Sequence, residues 1–312
     1  MKHRPVFRLL SISMICLCTY CAASARADQV ISQDERVWAR QILTQEKALG
    51  KRKNQRSVAI LYFDNKSGHE ELTPLQKGMA FMLIRDISGL EQVEVVERTK
   101  LQALLDEMEL GRSGLMDAET APEIGVLLRT NYVAGGDILQ GTAAELEINT
   151  SVFDVPLDRF TPLQAVVGSV QEISALEKKV LFSILEHMQI KLSSQKKKEL
   201  SRPLSASTAA LLSFFAGIDY SDRGLYLRAA EMYQQALAED PKLEAAQDAL
   251  QELKRTGLVT PRELCEAGPK STVPVPSPNS TEETDDDGLS TGKIVAIGLG
   301  MAVVGGGLAL AL

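Results

Sequence analysis

The stretch SVAILYF, residues 57–63, decides the fold. Six consecutive apolar side chains, Val58 to Phe63, match a strand covered on both faces, not one with a solvated side. The run stops at Asp64-Asn65-Lys66-Ser67-Gly68, whose side chains bond their own backbone and whose glycine bends it, so a loop is predicted there. Two further strands follow, VEVVER at 93–98 and YVAGGDILQ at 132–140.

Helices separate these strands. Thr73 with Pro74 and Gln76 reads as a capped start, and Leu75, Met79, Met82, Leu83 and Ile87 then recur at helical spacing. The same start signal recurs as Thr99 with Gln102 and as Thr120 with Glu123. The stripes that follow are Leu101, Leu104, Leu105, Met108 and then Ile124, Leu127, Leu128, with a loop at Leu110–Gly114 between them. Strands alternating with helices imply an α/β layer with crossover connections, here a mixed sheet. Beyond it, Glu145–Val155 alternates and then shifts phase at Phe153, which predicts a bulge or a strand end. A turn over Pro156–Pro162, a returning strand over Gln164–Ile173 and a helix over Ser174–Ile190 close the unit.

The run VAILYFDN, then VEVVER, LQALLDEMELGRSGLMD, the TAPEIGVLL helix and NYVAGGDI resembles the core of the CsgG family over roughly residues 57–190. That family is similar in fold to the amino-terminal domain of TolB. The resemblance implies an envelope protein of curli-type assembly or secretion that works by binding an envelope or secreted protein, with homo-oligomers possible and no enzymatic activity. The long membrane-inserting hairpins of a curli-type pore have no counterpart beyond the strands already used, so the leading expectation is a tethered adaptor. The alternative is an oligomeric component of an outer-membrane export channel.

The amino terminus sets the compartment. Residues 1–27 combine a basic start, an apolar stretch over Leu9–Cys21 and small residues at Ala25 and Ala27, the pattern of an export signal cleaved before Asp28. Cys16, Cys18 and Cys21 lack the preceding residues of a lipidation site. Removing the segment takes the formal charge from −7 to −11 and leaves Cys265 as the one cysteine, so nucleic acid is not an expected partner and no internal disulfide forms. Residues 28–56 read as a helix and linker, with Trp38 packing on the domain and Lys51-Arg52-Lys53 as a solvated run.

After the α/β domain at 57–192, residues 205–256 resemble a single tetratricopeptide repeat on Gly217, Tyr220, Gly224, Ala229, Tyr233, Ala236 and Pro241. One such repeat cannot bury its apolar face alone and must pack on the first domain, on another copy or on a partner. Residues 266–291 form a Pro/Ser/Thr-rich acidic linker. Residues 293–312 read as an apolar transmembrane helix with Gly298, Ala302 and Gly306 on one face, a tether to a membrane, the inner one by preference.

Catalytic chemistry is not expected. His69 and His187 lack metal-ligand partners at the right spacing, there is no phosphate-binding G-x-x-x-x-G-K-[ST], and neither Ser113 nor Ser169 sits in a nucleophile elbow. No catalytic, metal or cofactor residue is assigned, and Gly135-Gly136 reads as a close backbone approach.

Overall fold

A computed structural model describes residues 29–44, 56–141 and 145–267. The cleavage residues Ala25, Ala27 and Asp28, the Lys51–Lys53 run, residues 268–291 of the linker, and Gly298, Ala302 and Gly306 of the tail lie outside the described residues.

The apolar run becomes β1 (Ser57–Ile60), and Val58 to Phe63 are all buried. After a break, β2 (Asp64–Lys66) resumes where a loop was expected. It does so because it runs parallel to β4 (Tyr132–Gln140), with Asp64 opposite Asp137 and Lys66 opposite Leu139. β1 lies between β4 and the short β3 (Glu94–Val95), parallel to both. β4 pairs antiparallel with β5 (Glu145–Asp154), which carries β6 (Arg159–Pro162) and β7 (Val166–Ser169) along its other side. The sheet is therefore mixed, in the order β3-β1-β4-β5-β6, with β2 and β7 joined from the side.

The phase shift at Phe153 predicts a bulge or a strand end, and it is a strand end: β5 stops at Asp154, and a bulge lies instead in the strand beside it. The β4–β5 register is unbroken from Tyr132 opposite Asp154 to Gln140 opposite Leu146. From Ser151 to Ile148 β5 advances three residues, whereas its partner advances four from Pro162 to Val166, so the extra residue lies in the edge strand. Phe153 breaks the alternation because its ring packs on Phe160 at 4.6 Å. A bulge and Pro162 on the outer strand also discourage pairing with another chain.

Helix starts differ from the expected caps. α2 (Leu75–Ser88) follows Pro74, α3 (Arg98–Glu107) follows Glu97, and α4 (Thr120–Leu127) follows Glu119, none with a side-chain cap. Thr99 instead donates to Glu35 of α1 (Gln33–Thr44), and Gln102 accepts from the Tyr62 hydroxyl and donates to Asp106. Tertiary partners took the polar atoms that a local cap would have used. Trp38 of α1 packs half-buried against the core.

α5 (Ile173–His187) packs on β5 and β7 and is followed by α6 (Ser194–Leu200). An antiparallel pair, α7 (Thr208–Asp222) and α8 (Tyr226–Glu239), then packs on α9 (Glu244–Arg255), and α10 (Pro261–Ala267) follows. The fold class is corrected in one respect: the described fold includes no transmembrane helix, and residues 293–312, where one was expected, lie outside the described residues. Among the described residues no helix is long and apolar enough to cross a membrane. The longest, α5 and α7, have 15 residues each, against the ~20 that a bilayer core requires, and their apolar side chains are spent on the core.

The Gly135-Gly136 pair is a close approach, as expected. A Cβ on Gly136 would lie 1.8 Å from the Asn149 carbonyl oxygen of β5, and one on Gly135 would lie 2.8 Å from Met116 Cγ. Gly136→Ala is therefore expected to cost more than about 3 kcal/mol, because backbone and not a flexible side chain must yield. Urea denaturation of the variant checks this, with a loss below about 1 kcal/mol as the contrary result.

Candidate functional site

The most heavily charged interior region joins the α/β domain to the helical hairpin. α2 is buried nearly all round, and on it Gly78 admits the Phe215 ring so closely that a Cβ would sit 2.2 Å from the ring. Phe81 meets Phe214 edge-on at 5.0 Å, and Phe214 lies 5.8 Å from Tyr233. This apolar wall excludes water from the charges beside it.

Asp222, at the end of α7, is the centre of those charges. Its side chain is 2% exposed and accepts from Lys77 Nζ of α2 at 2.8 Å. Arg98 Nη1 of α3 donates to both of its oxygens at 2.9 Å. One helical turn earlier, Asp219 accepts from Lys77 at 3.0 Å and from Arg112 at 2.9 Å, and Arg223 lies 3.7 Å away. Lys77 also sits over the Tyr62 ring, 5.6 Å from its centre. Burial alone would raise the Asp219 pKa, but Lys77, then Arg112 and Arg223, hold it below the usual carboxylate range. Arg98 is raised: burial works against its charge and the Asp222 carboxylate more than offsets it.

The amino-terminal segment is sewn into the same junction. The Gln29 and Val30 amides donate to the two oxygens of Glu252 on α9, at 2.7 and 3.2 Å, while Arg98 Nη2 donates to the Gln29 carbonyl at 2.8 Å.

A second cluster lies below α5. Lys178 bonds Asp86 of α2 and lies 3.0 Å from the fully buried Glu177. Here two carboxylates share one ammonium. Burial, followed by the charge of Asp86, pushes Glu177 up to about 8, and burial raises Asp86 as well. The segment between α6 and α7 runs beside this cluster. Pro203 lines both a cleft of about 340 Å³ with Asp86, Arg85, Arg202 and Lys242, and one of about 240 Å³ with Lys178 and Ser174. Ser205 fixes the segment by donating to Asp240 at 2.6 Å.

The repeat-signature residues are brought together. Ala229, Tyr233 and Ala236 are fully buried, a Cβ on Gly217 would lie 2.4 Å from the Tyr233 ring, and Gly224 turns the chain at φ +71°. Pro241 follows α8 and its carbonyl accepts from Gln247, while Tyr220 and Tyr226 are half-buried. Of the other residues considered, His69 pairs with Glu71 at 3.2 Å in a surface loop, and Ser113 donates to Asp64. His187 stacks edge-on to Tyr132. Among the described residues no group of three or more His, Cys, Asp or Glu side chains could hold a metal ion.

Sequence reasoning missed Lys77, Arg98, Asp219 and Asp222. The available signal was a charge lodged inside otherwise apolar helices: Lys77 between Leu75 and Met79, and Asp219 and Asp222 one turn apart at the end of AALLSFFAGI.

Comparison with known proteins then bears on the α/β part. Residues 40–146 match the family model for the curli production assembly/transport component CsgG. The CsgG match begins inside α1 and ends in β5, earlier at both ends than the resemblance read from the sequence, and covers about a third of the chain. It supports the CsgG assignment of this domain and does not extend to α7–α9. Among solved structures, the LpoB C-terminal domain from Salmonella enterica is similar at 10% identity and TM-score 0.30, covering 43% of this chain and 93% of that one. The Escherichia coli LpoB C-terminal domain gives 11%, 0.29, 43% and 96%. The hypothetical protein CT253 from Chlamydia trachomatis gives 13%, 0.23, 47% and 94%. No curated protein matches the chain.

Two measurements test the junction. Asp222→Ala leaves Arg98 buried without its carboxylate and Lys77 with Asp219 alone, and is expected to cost about 3–5 kcal/mol in urea unfolding. Lys77→Met, Arg98→Met and Asp222→Leu combined is expected to recover most of that loss. For the second cluster, Glu177 has a folded-state pKa near 8 against an ordinary 4.5, so its contribution is full below 4.5 and is lost as pH rises through 8. Stability is therefore expected to fall between about pH 5 and pH 8, and Glu177→Gln to flatten that slope, which denaturation midpoints across the range will show.

Proposed function

We propose that this protein is a non-enzymatic component of the cell envelope that acts in assembly or secretion through protein–protein contacts. The observation that carries this reading is the CsgG match over residues 40–146. The fold is compatible with it, because the buried charges at the centre of the junction are spent on joining elements of the chain: Asp222, Lys77 and Arg98 pair with one another out of reach of solvent. In this reading residues 1–27 are an export segment cleaved before Asp28, and the protein works on the periplasmic side of the envelope. The hairpin of α7 and α8 is a single repeat of the tetratricopeptide type that uses the α/β domain in place of a neighbouring repeat.

The test is made on full-length protein in the producing cells. Protease added to intact cells is expected to spare it and to cleave it once the outer membrane is permeabilised. The amino terminus of the purified protein is expected to be Asp28. Recovery in the cytoplasm with an intact Met1 would overturn the proposal. Light scattering on the same preparation separates an adaptor, seen as a monomer or small oligomer, from a closed ring, which would favour an export channel.

A further inference from the structure

The tip of the helical hairpin differs from the rest of this acidic chain. Arg112 and Arg223 meet there on Asp219, and Arg228 follows in the first turn of α8, with side chains 34%, 56% and 61% exposed. Arg112 and Arg223 are held on opposite oxygens of one carboxylate, Asp219, at 2.9 and 3.7 Å, and Arg228 is held by Glu231 at 2.9 Å. Asp219 also serves the buried Lys77. Arg223 stacks on Tyr220 at 5.7 Å, and the Tyr220 carbonyl accepts from the Leu225 amide at 2.9 Å, which fixes the turn.

Charge and hydrophobicity at this tip both point outward. Asp219 has only two oxygens for three cations, so the guanidinium groups of Arg112 and Arg223 retain donors and positive field directed at solvent. Beside them Leu225 and Leu227 are 43% and 39% exposed, two of the few large aliphatic side chains left open on the described surface. Guanidinium groups already held through one Nη1 on Asp219 lose less entropy on gripping a further carboxylate with their remaining donors, and neighbouring leucines reward aliphatic groups on the same ligand. Carboxylates suit these guanidinium groups, and a protein segment that carries aliphatic side chains beside them also meets Leu225 and Leu227, which a sugar-phosphate backbone does not.

We infer that the α7–α8 tip, together with Arg112 of the α/β domain, is a docking surface for an acidic segment bearing aliphatic side chains on a partner protein. This rests on the proposed function as a contact protein and names the chemistry of its partner. Because Arg112 belongs to the α/β domain and Arg223 to the hairpin, the surface depends on the junction between the two, and Asp219 sets the spacing of its two guanidinium groups.

The probe is a fluorescein-labelled synthetic peptide of Glu-Leu-Ser repeats, titrated with the full-length protein and followed by anisotropy. The peptide is expected to bind, and its affinity to fall at least tenfold in Arg112→Gln/Arg223→Gln and again with rising salt. Lys196→Gln/Lys197→Gln on α6 is expected to change it less than twofold. Peptides with Lys in place of Glu, or Ser in place of Leu, are expected to bind at least tenfold more weakly. Should the arginine variant fail to fold, Leu225→Glu gives the same reading from an exposed position, with the same tenfold loss expected. Absence of binding, unchanged affinity in the folded variants, or equal binding of either control peptide would overturn the inference. A protein that fractionates with the envelope but ignores the peptide loses this surface and keeps its proposed function. Cytoplasmic recovery with intact peptide binding does the reverse.

Discussion

Asp222 is the constraint on which the rest of the structure depends. A carboxylate so buried is tolerable only if its charge is matched, and here it is matched by Lys77 and Arg98, which come from two different helices of the α/β domain. An ion triad of this kind contributes little net free energy, since desolvation offsets most of the attraction. Its effect is on geometry. The end of α7 has one position relative to α2 and α3 in which three charges are satisfied together, and any slide along the apolar wall of Phe81, Phe214 and Phe215 breaks them.

That division of labour explains why a single helical hairpin, flanked on its other side by α9, is stable here. Two helices of this length cannot cover their own apolar faces, and in a solenoid a neighbouring repeat would supply the cover. Here α2 takes that part, with Gly78 cut away to receive Phe215 as Gly217 receives Tyr233. The aromatic contacts provide the burial and the charges select the register. The segment at Gln29 adds a third tie, since Arg98 and Glu252 hold its backbone from the two modules at once.

The sequence-readable part of this arrangement is the local part. Alternation of apolar runs with helical stripes predicts β1, α2, α4, β4 and α5, because each pattern lies within one element. β2 was illegible because its polar Asp64-Asn65-Lys66 has turn chemistry, and only the parallel partner β4 makes it a strand. The end of β5 was legible in the phase shift at Phe153, whereas the bulge beside it was not, because its extra residue is defined only by the register against β5. The junction was illegible for the same reason at longer range: 145 residues separate Lys77 from Asp222, and nothing near either residue announces the other. What could be read is that a lysine and two aspartates sit in helices too apolar to leave them unpaired.

The two buried clusters then divide by charge balance. Around Asp219 and Asp222, cations outnumber carboxylates: Asp219 is held below its usual range and Arg98 above, so neither changes charge near neutrality. Around Lys178, carboxylates outnumber cations, and Glu177 resolves the excess by keeping a proton up to about pH 8. The same requirement, that buried charge be compensated, is met in one place by surplus guanidinium groups that reach solvent and in the other by a proton. Joining the hairpin to the sheet thus leaves an outward positive tip, while the separate contact of α2 with α5 holds an inward acidic pair at which the stability of the α/β domain is linked to pH.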